Sequence, residues 1–156
     1  MKRKLLVGLV AVLAVIGVVA GAVLAQGLPG QGGPLEGRAL WESQGIEHYR
    51  FTLSRSCFCL ARGPVVIEVR NGKVVSIVDA ETGGSEVDGF AVSEIFGDVD
   101  TIEELFGRID AAEGAAVLQV SYDATFGYPA EIYIDQSELM ADEEIGYRIS
   151  DFEVLG

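Results

Sequence analysis

The stretch running from Pro64 to Val78, "PVVIEVRNGKVVSIV", constrains the fold more than any other part of the chain. Asn71 and Gly72 supply the two positive-φ residues of a type I′ turn between two runs of β-branched residues. A two-residue loop of this kind pairs Val69 with Val74, Ile67 with Ser76 and Val65 with Val78. One face of the hairpin is then nearly all apolar, while Glu68, Arg70 and Lys73 line a face that can be wet.

The neighbouring segments fit the same sheet. "HYRFTL" alternates, with Tyr49, Phe51 and Leu53 facing one way. "VLQVSYD" and "AEIYID" alternate again, with Leu118, Val120, Tyr122, Ile132 and Ile134 inward, joined by "ATFGYP" as a longer hairpin loop. "YRISDFEVL" makes a last strand. Two helices complete the pattern. Arg38 to Gln44 reads as a short helix stopped by Gly45. The second begins at a capping box, Thr101 with Glu104, and puts Ile102, Leu105, Phe106 and Ile109 on one face until Gly114. Residues 79 to 99 are glycine-rich and acidic and read mostly as loop. The expected fold is α+β: a single, mainly antiparallel sheet with two helices on one face, in the order α-β-β-β-α-β-β-β.

The amino terminus bears on compartment. Lys2, Arg3 and Lys4 precede an apolar run of 21 residues, Leu5 to Ala25. A basic head before such a run is a secretory signal pattern, with Val23 and Ala25 small enough for cleavage before Gln26. The same run, as a helix of roughly 31 Å, is long enough to cross a bilayer core. Residues 1–25 are therefore a signal peptide or a membrane anchor, and either way the remainder is expected outside the cytoplasmic membrane. Membrane contact is expected only through residues 5–25 of an uncleaved chain. Residues 26–37 hold five glycines and two prolines and read as a linker. Residues 38–156 suit one domain with one core.

Charge is unevenly spread. Residues 26–73 carry 6 basic and 4 acidic side chains, whereas residues 74–156 carry 2 basic and 20 acidic ones. Such a surface repels nucleic acid and anionic lipid, so no nucleic-acid partner is expected. An envelope or extracellular partner of unknown kind fits better.

Few chemistries are available. The one histidine, His48, precedes Cys57 by nine positions, roughly 30 Å along an extended strand, which argues against a Cys/His nucleophile and a zinc site. No phosphate-binding glycine loop, dinucleotide fingerprint or nucleophile elbow occurs. No catalytic residue and no resident cofactor are expected. Among the acidic residues a calcium site is a candidate at "ADEE" (Asp142, Glu143, Glu144) with Asp135 nearby. The regular EF-hand spacing is absent there, and "DVDTIEELFG" places Ile102 and Glu103 where ligand and glycine belong.

The only two cysteines, Cys57 and Cys59, flank Phe58. On an extended strand their Cα atoms lie about 6.6 Å apart, at the limit for a bridge, so a bond between them requires a bend at Phe58. Closing so small a loop removes unfolded-state entropy worth only about 1.6 kcal/mol. Four readings follow: a turn-locking disulfide, two buried thiols, a redox pair favoured by Arg55 and Arg62, or soft-metal binding.

Taken together, "GIEHYRFTLSRSCFC", "IEVRNGKVVSIV", "TIEELFGRI", "YDATFGYPAEIYID" and "ADEEIGYRISDF" make the chain resemble the bacterial domain-of-unknown-function family 6174 (DUF6174), from about Trp41 to Phe152. The resemblance implies an extracytoplasmic domain, often on lipoproteins, with no established activity, and it lends no catalytic residues. The chain departs from many members in lacking a lipid-attachment cysteine after its apolar run. The functional expectation is a non-enzymatic, envelope-associated binding or structural module. The alternative is a thiol-redox or metal-handling module using Cys57-Phe58-Cys59.

Overall fold

The computed structural model describes residues 33–59, 62–87, 89–140 and 142–156. The expected signal or anchor, and most of the expected linker, lie outside these residues. Among the described residues no helix is long and apolar enough to cross a membrane.

One antiparallel sheet of six strands carries the fold. In chain order the elements are α1 (Pro34–Gln44), β1 (Tyr49–Cys57), β2 (Val65–Arg70), β3 (Lys73–Asp79), a small hairpin of β4 (Glu86–Val87) and β5 (Phe90–Ala91), α2 (Val92–Phe96), α3 (Ile102–Ala111), β6 (Val117–Tyr122), β7 (Pro129–Asp135) and β8 (Ile145–Val154). Across the sheet the order is β3-β2-β1-β8-β7-β6. The first and last strands of the chain thus meet at its centre, where β1 pairs with β8 over most of its length.

The strand periodicity decides the core. Tyr49, Phe51 and Leu53 of β1, Val65, Ile67 and Val69 of β2, Ile132 and Ile134 of β7, and Tyr147 and Ile149 of β8 are buried on one face. The helices cover that face, with Ile102, Leu105, Phe106 and Ile109 of α3 buried as the capping-box reading requires. Thr101 Oγ1 accepts from Glu104 N–H at 3.1 Å, and Glu104 Oε2 accepts from Thr101 N–H at 3.2 Å.

Four local expectations are corrected. The first helix starts at Pro34 rather than Arg38, because proline at a helix's first turn loses no hydrogen bond and carries the right φ. The hairpin keeps Val69 opposite Val74, but a bulge at Val75 then shifts the register. Ile67 therefore faces Ile77, not Ser76, and Val65 faces Asp79, not Val78. The extra residue puts Ile77 on the core side and leaves Val75 exposed. Third, the segment expected as loop folds into β4, β5 and α2, burying Val87, Val92 and Phe96. Its entry turn is tied by Asp79, whose Oδ1 accepts from Thr82 Oγ1 and from the N–H groups of Thr82 and Glu81. Finally, Leu118 does face the helix layer, opposite buried Ile134, yet it stays 37% exposed because β6 lies at the sheet edge.

Candidate functional site

β1 ends at Cys57, and the chain bends at Phe58 and Cys59. The bend brings the cysteine Cα atoms to 5.2 Å with the two sulfurs in bonding contact, so the cysteines form a close pair and not two separate thiols. Phe58 stands at the apex, 83% exposed.

Strand pairing sets what surrounds this bend. Cys57 lies opposite Ile145, the first residue of β8, so the acidic run just before β8 arrives beside the cysteines. A cleft results, lined by Cys57, Phe58 and Cys59, by Arg55, by Arg108 and Ala111 of α3 with Ala112 just past its end, and by Asp142, Glu143 and Glu144. Two groups singled out separately in the sequence, the cysteine pair and the acidic run, thus share one site. Asp135 does not join them. It sits opposite Val117 at the end of β7, and its Oδ1 accepts from Ser137 N–H at 2.9 Å. Among the described residues no three metal-ligating groups are arranged to hold an ion.

The two arginines are fixed from behind. Arg55 Nη1 donates to Ile95 O at 3.1 Å and its guanidinium carbon lies 5.0 Å from the centre of the Phe96 ring, which ties β1 to α2. Arg108 donates from Nε to Tyr147 Oη at 3.3 Å and makes a 3.5 Å ion pair with Asp98. The Tyr147 contact is the chief reason that the Arg108 pKa is pushed further up, so its charge is permanent. Opposite them, Glu143 Oε1 is buried with no hydrogen-bond partner among the described residues. A buried carboxylate oxygen left this way is an unused acceptor.

The wall formed by α3 is held at its far end by a hydrogen-bonded network. Glu103 accepts from Trp41 Nε1 at 3.0 Å and from Tyr49 Oη at 3.1 Å, while Tyr49 Oη accepts from Ile102 N–H at 3.1 Å. Arg38 donates to Phe106 O and pairs with Asp110 at 2.7 Å. α1 therefore runs antiparallel to α3, and Gly37 in its first turn packs against the Tyr122 ring of β6. His48 sits beyond the start of β1, at the end of the sheet away from the cleft, which removes any Cys/His pairing.

These features coincide with a recognised family. The sequence model of a family of unknown function, DUF6174, matches residues 35–154. The chain belongs to that family. The match spans every strand and, but for Pro34, every helix described above, and its description names no activity. No curated protein and no solved structure matches the chain.

Sequence reasoning found the cysteine pair and the need for a bend at Phe58. It missed Arg108 as a cleft residue and the convergence of Asp142–Glu144 with the cysteines. Both depend on the β1–β8 pairing, which joins residues about ninety positions apart and leaves no local signal.

Proposed function

We propose that this DUF6174 domain is an exported, envelope-associated binding module without enzymatic activity, and that it docks a protein partner at the cysteine-bearing cleft. The observation that carries this reading is Phe58, a large aromatic side chain held 83% exposed at the apex of the Cys57–Cys59 bend. A bridge that contributes little global stability still fixes a local shape, and a preorganised aromatic anchor loses little entropy on binding. Leu139 and Met140, 96% and 57% exposed, lie on the loop that leads to the acidic lining residues and add apolar surface at the same end. The unpartnered oxygen of Glu143 offers an acceptor to an N–H or cationic donor of the partner.

Site-specific photocross-linking in the producing cell tests this. A photoreactive phenylalanine analogue at position 58 is expected to yield a discrete protein adduct, and the same analogue at Val75, also exposed but on β3, none. No adduct at position 58, or equal adducts at both positions, removes the reading.

A second reading rests on Arg55 and Arg108 lining the same cleft, where guanidinium charge favours a thiolate. A substrate thiolate would attack one sulfur of the pair and release the other as thiolate. The exchange runs in reverse when the Cys57 thiolate attacks a substrate disulfide and releases one substrate thiolate, so Cys59→Ser, which lacks the second sulfur to resolve it, traps a mixed disulfide through Cys57, and Phe58→Ala changes nothing. Such trapping together with a silent Phe58 would replace docking by thiol exchange.

A further inference from the structure

The two edges of the six-stranded sheet differ. β3 begins with Lys73, bulges at Val75 and has β4 and α2 against it, all of which blunt an edge. β6, "VLQVSY", has no charge, proline or glycine, and its one register irregularity falls at its last residue. Among the described residues no strand pairs with its outer side. A six-residue uncharged strand of this composition is a template for further pairing.

We propose that β6 pairs antiparallel with β6 of a second copy of this chain, joining the two sheets across a twofold axis. The strand's own pattern selects that occupant. A twofold axis perpendicular to the sheet keeps every side chain on its own face, so the register must centre on a residue. Centred on Gln119, it sets Leu118 against Val120 of the second copy on the helix side, continuing the buried row of Ile132 and Ile134. On the open side Val117 meets Ser121, and the two Gln119 amides, each both donor and acceptor, meet one another. Beyond the strand, Asp123 falls opposite Ala115, so no acid opposes an acid in the seam. Outside the seam the two copies repel, since each chain carries a net charge of −13. Association therefore strengthens as salt screens that repulsion, the reverse of an interface held by ion pairs.

Analytical ultracentrifugation of the exported chain in non-ionic detergent, with salt raised from about 20 to about 300 mM, tests the proposal. The expected result is a monomer–dimer equilibrium that tightens with salt, at least about tenfold weaker in Gln119→Lys, where two ammonium groups would face each other. Gln119→Cys provides an arm that does not depend on the lysine variant folding. Mild oxidation should link 119 to 119 across the axis, the Cα separation of opposed strand residues being within disulfide reach. Ser121→Cys should not link, its two copies lying about 13 Å apart in this register. A chain that stays monomeric at high salt overturns the proposal. So does a dimer that Gln119→Lys leaves intact, or faster linkage through position 121 than through 119.

Discussion

Tyr49 and Tyr122 offer two identical chemical changes with opposite expected outcomes. Both side chains are buried, at 0% and 7% exposure. Tyr49→Phe removes a hydroxyl that donates to Glu103 and accepts from the Ile102 N–H at the first turn of α3. Ile102 is fully buried, so its N–H is left without a partner, at a cost of about 1–3 kcal/mol. The lost bond to the Glu103 carboxylate is in part replaced by water, because Glu103 is exposed. The sum is about 2–3 kcal/mol, or roughly 10 °C in Tm for a domain of this size. The Tyr122 hydroxyl, in contrast, is buried with no partner among the described residues. Removing it deletes an unsatisfied group, so Tyr122→Phe should leave stability unchanged or raise it by up to about 1 kcal/mol. Urea denaturation of both variants decides the matter: the midpoint should fall for Tyr49→Phe at constant slope and hold or rise for Tyr122→Phe. Equal losses in the two, or a larger loss for Tyr122→Phe, would refute the hydrogen-bond reasoning and leave ring packing as the whole explanation.

Three further perturbations follow from the structure. Burial, then the hydrogen bond with Glu104, pushes the Asp100 carboxyl up to about 7, so the fold holds a proton that the unfolded chain releases near the usual carboxylate value. Its contribution is full below that value and is lost as pH rises through about 7; Asn at position 100 should flatten the decline and gain roughly 1 kcal/mol above neutrality after solvent screening, read from Tm at several pH values. Cys57→Ser with Cys59→Ser should cost about 1–2 kcal/mol in urea denaturation, the entropy of a very short loop, with the sheet intact by far-ultraviolet circular dichroism. Gly127 has φ +83°, and an added Cβ would run into the backbone at Gly37 and Trp41, so Gly127→Ala should destabilise by about 2–4 kcal/mol and loosen α1 from the β6–β7 turn, seen as faster amide exchange in α1.

What the sequence determined is what repeats over short distances. Alternation in β1, β2 and β7 put Tyr49, Phe51, Leu53, Ile132 and Ile134 in the core, the Thr101–Glu104 box set the start of α3, and Asn71-Gly72 set a two-residue turn. Each of these rests on neighbours within a few residues, whose geometry the backbone dictates before any tertiary contact forms. Extended geometry also required a bend at Phe58 for any bond between Cys57 and Cys59. The Val75 bulge was not legible, because either register leaves an apolar face, and only the partial burial of Ile77 against the core and the Asp79 turn select one. The segment from Asp79 to Val99 reads as loop because it is glycine-rich and acidic, and α2 forms only where Val92 and Phe96 find the sheet. The candidate site is tertiary in the same sense. Pairing of the first strand with the last brings the Cys57–Cys59 bend to the acidic run before β8, and α3 then delivers Arg108 to the same cleft. No local pattern encodes that meeting, since it is made by chain ends that close on one another only when the whole sheet is assembled.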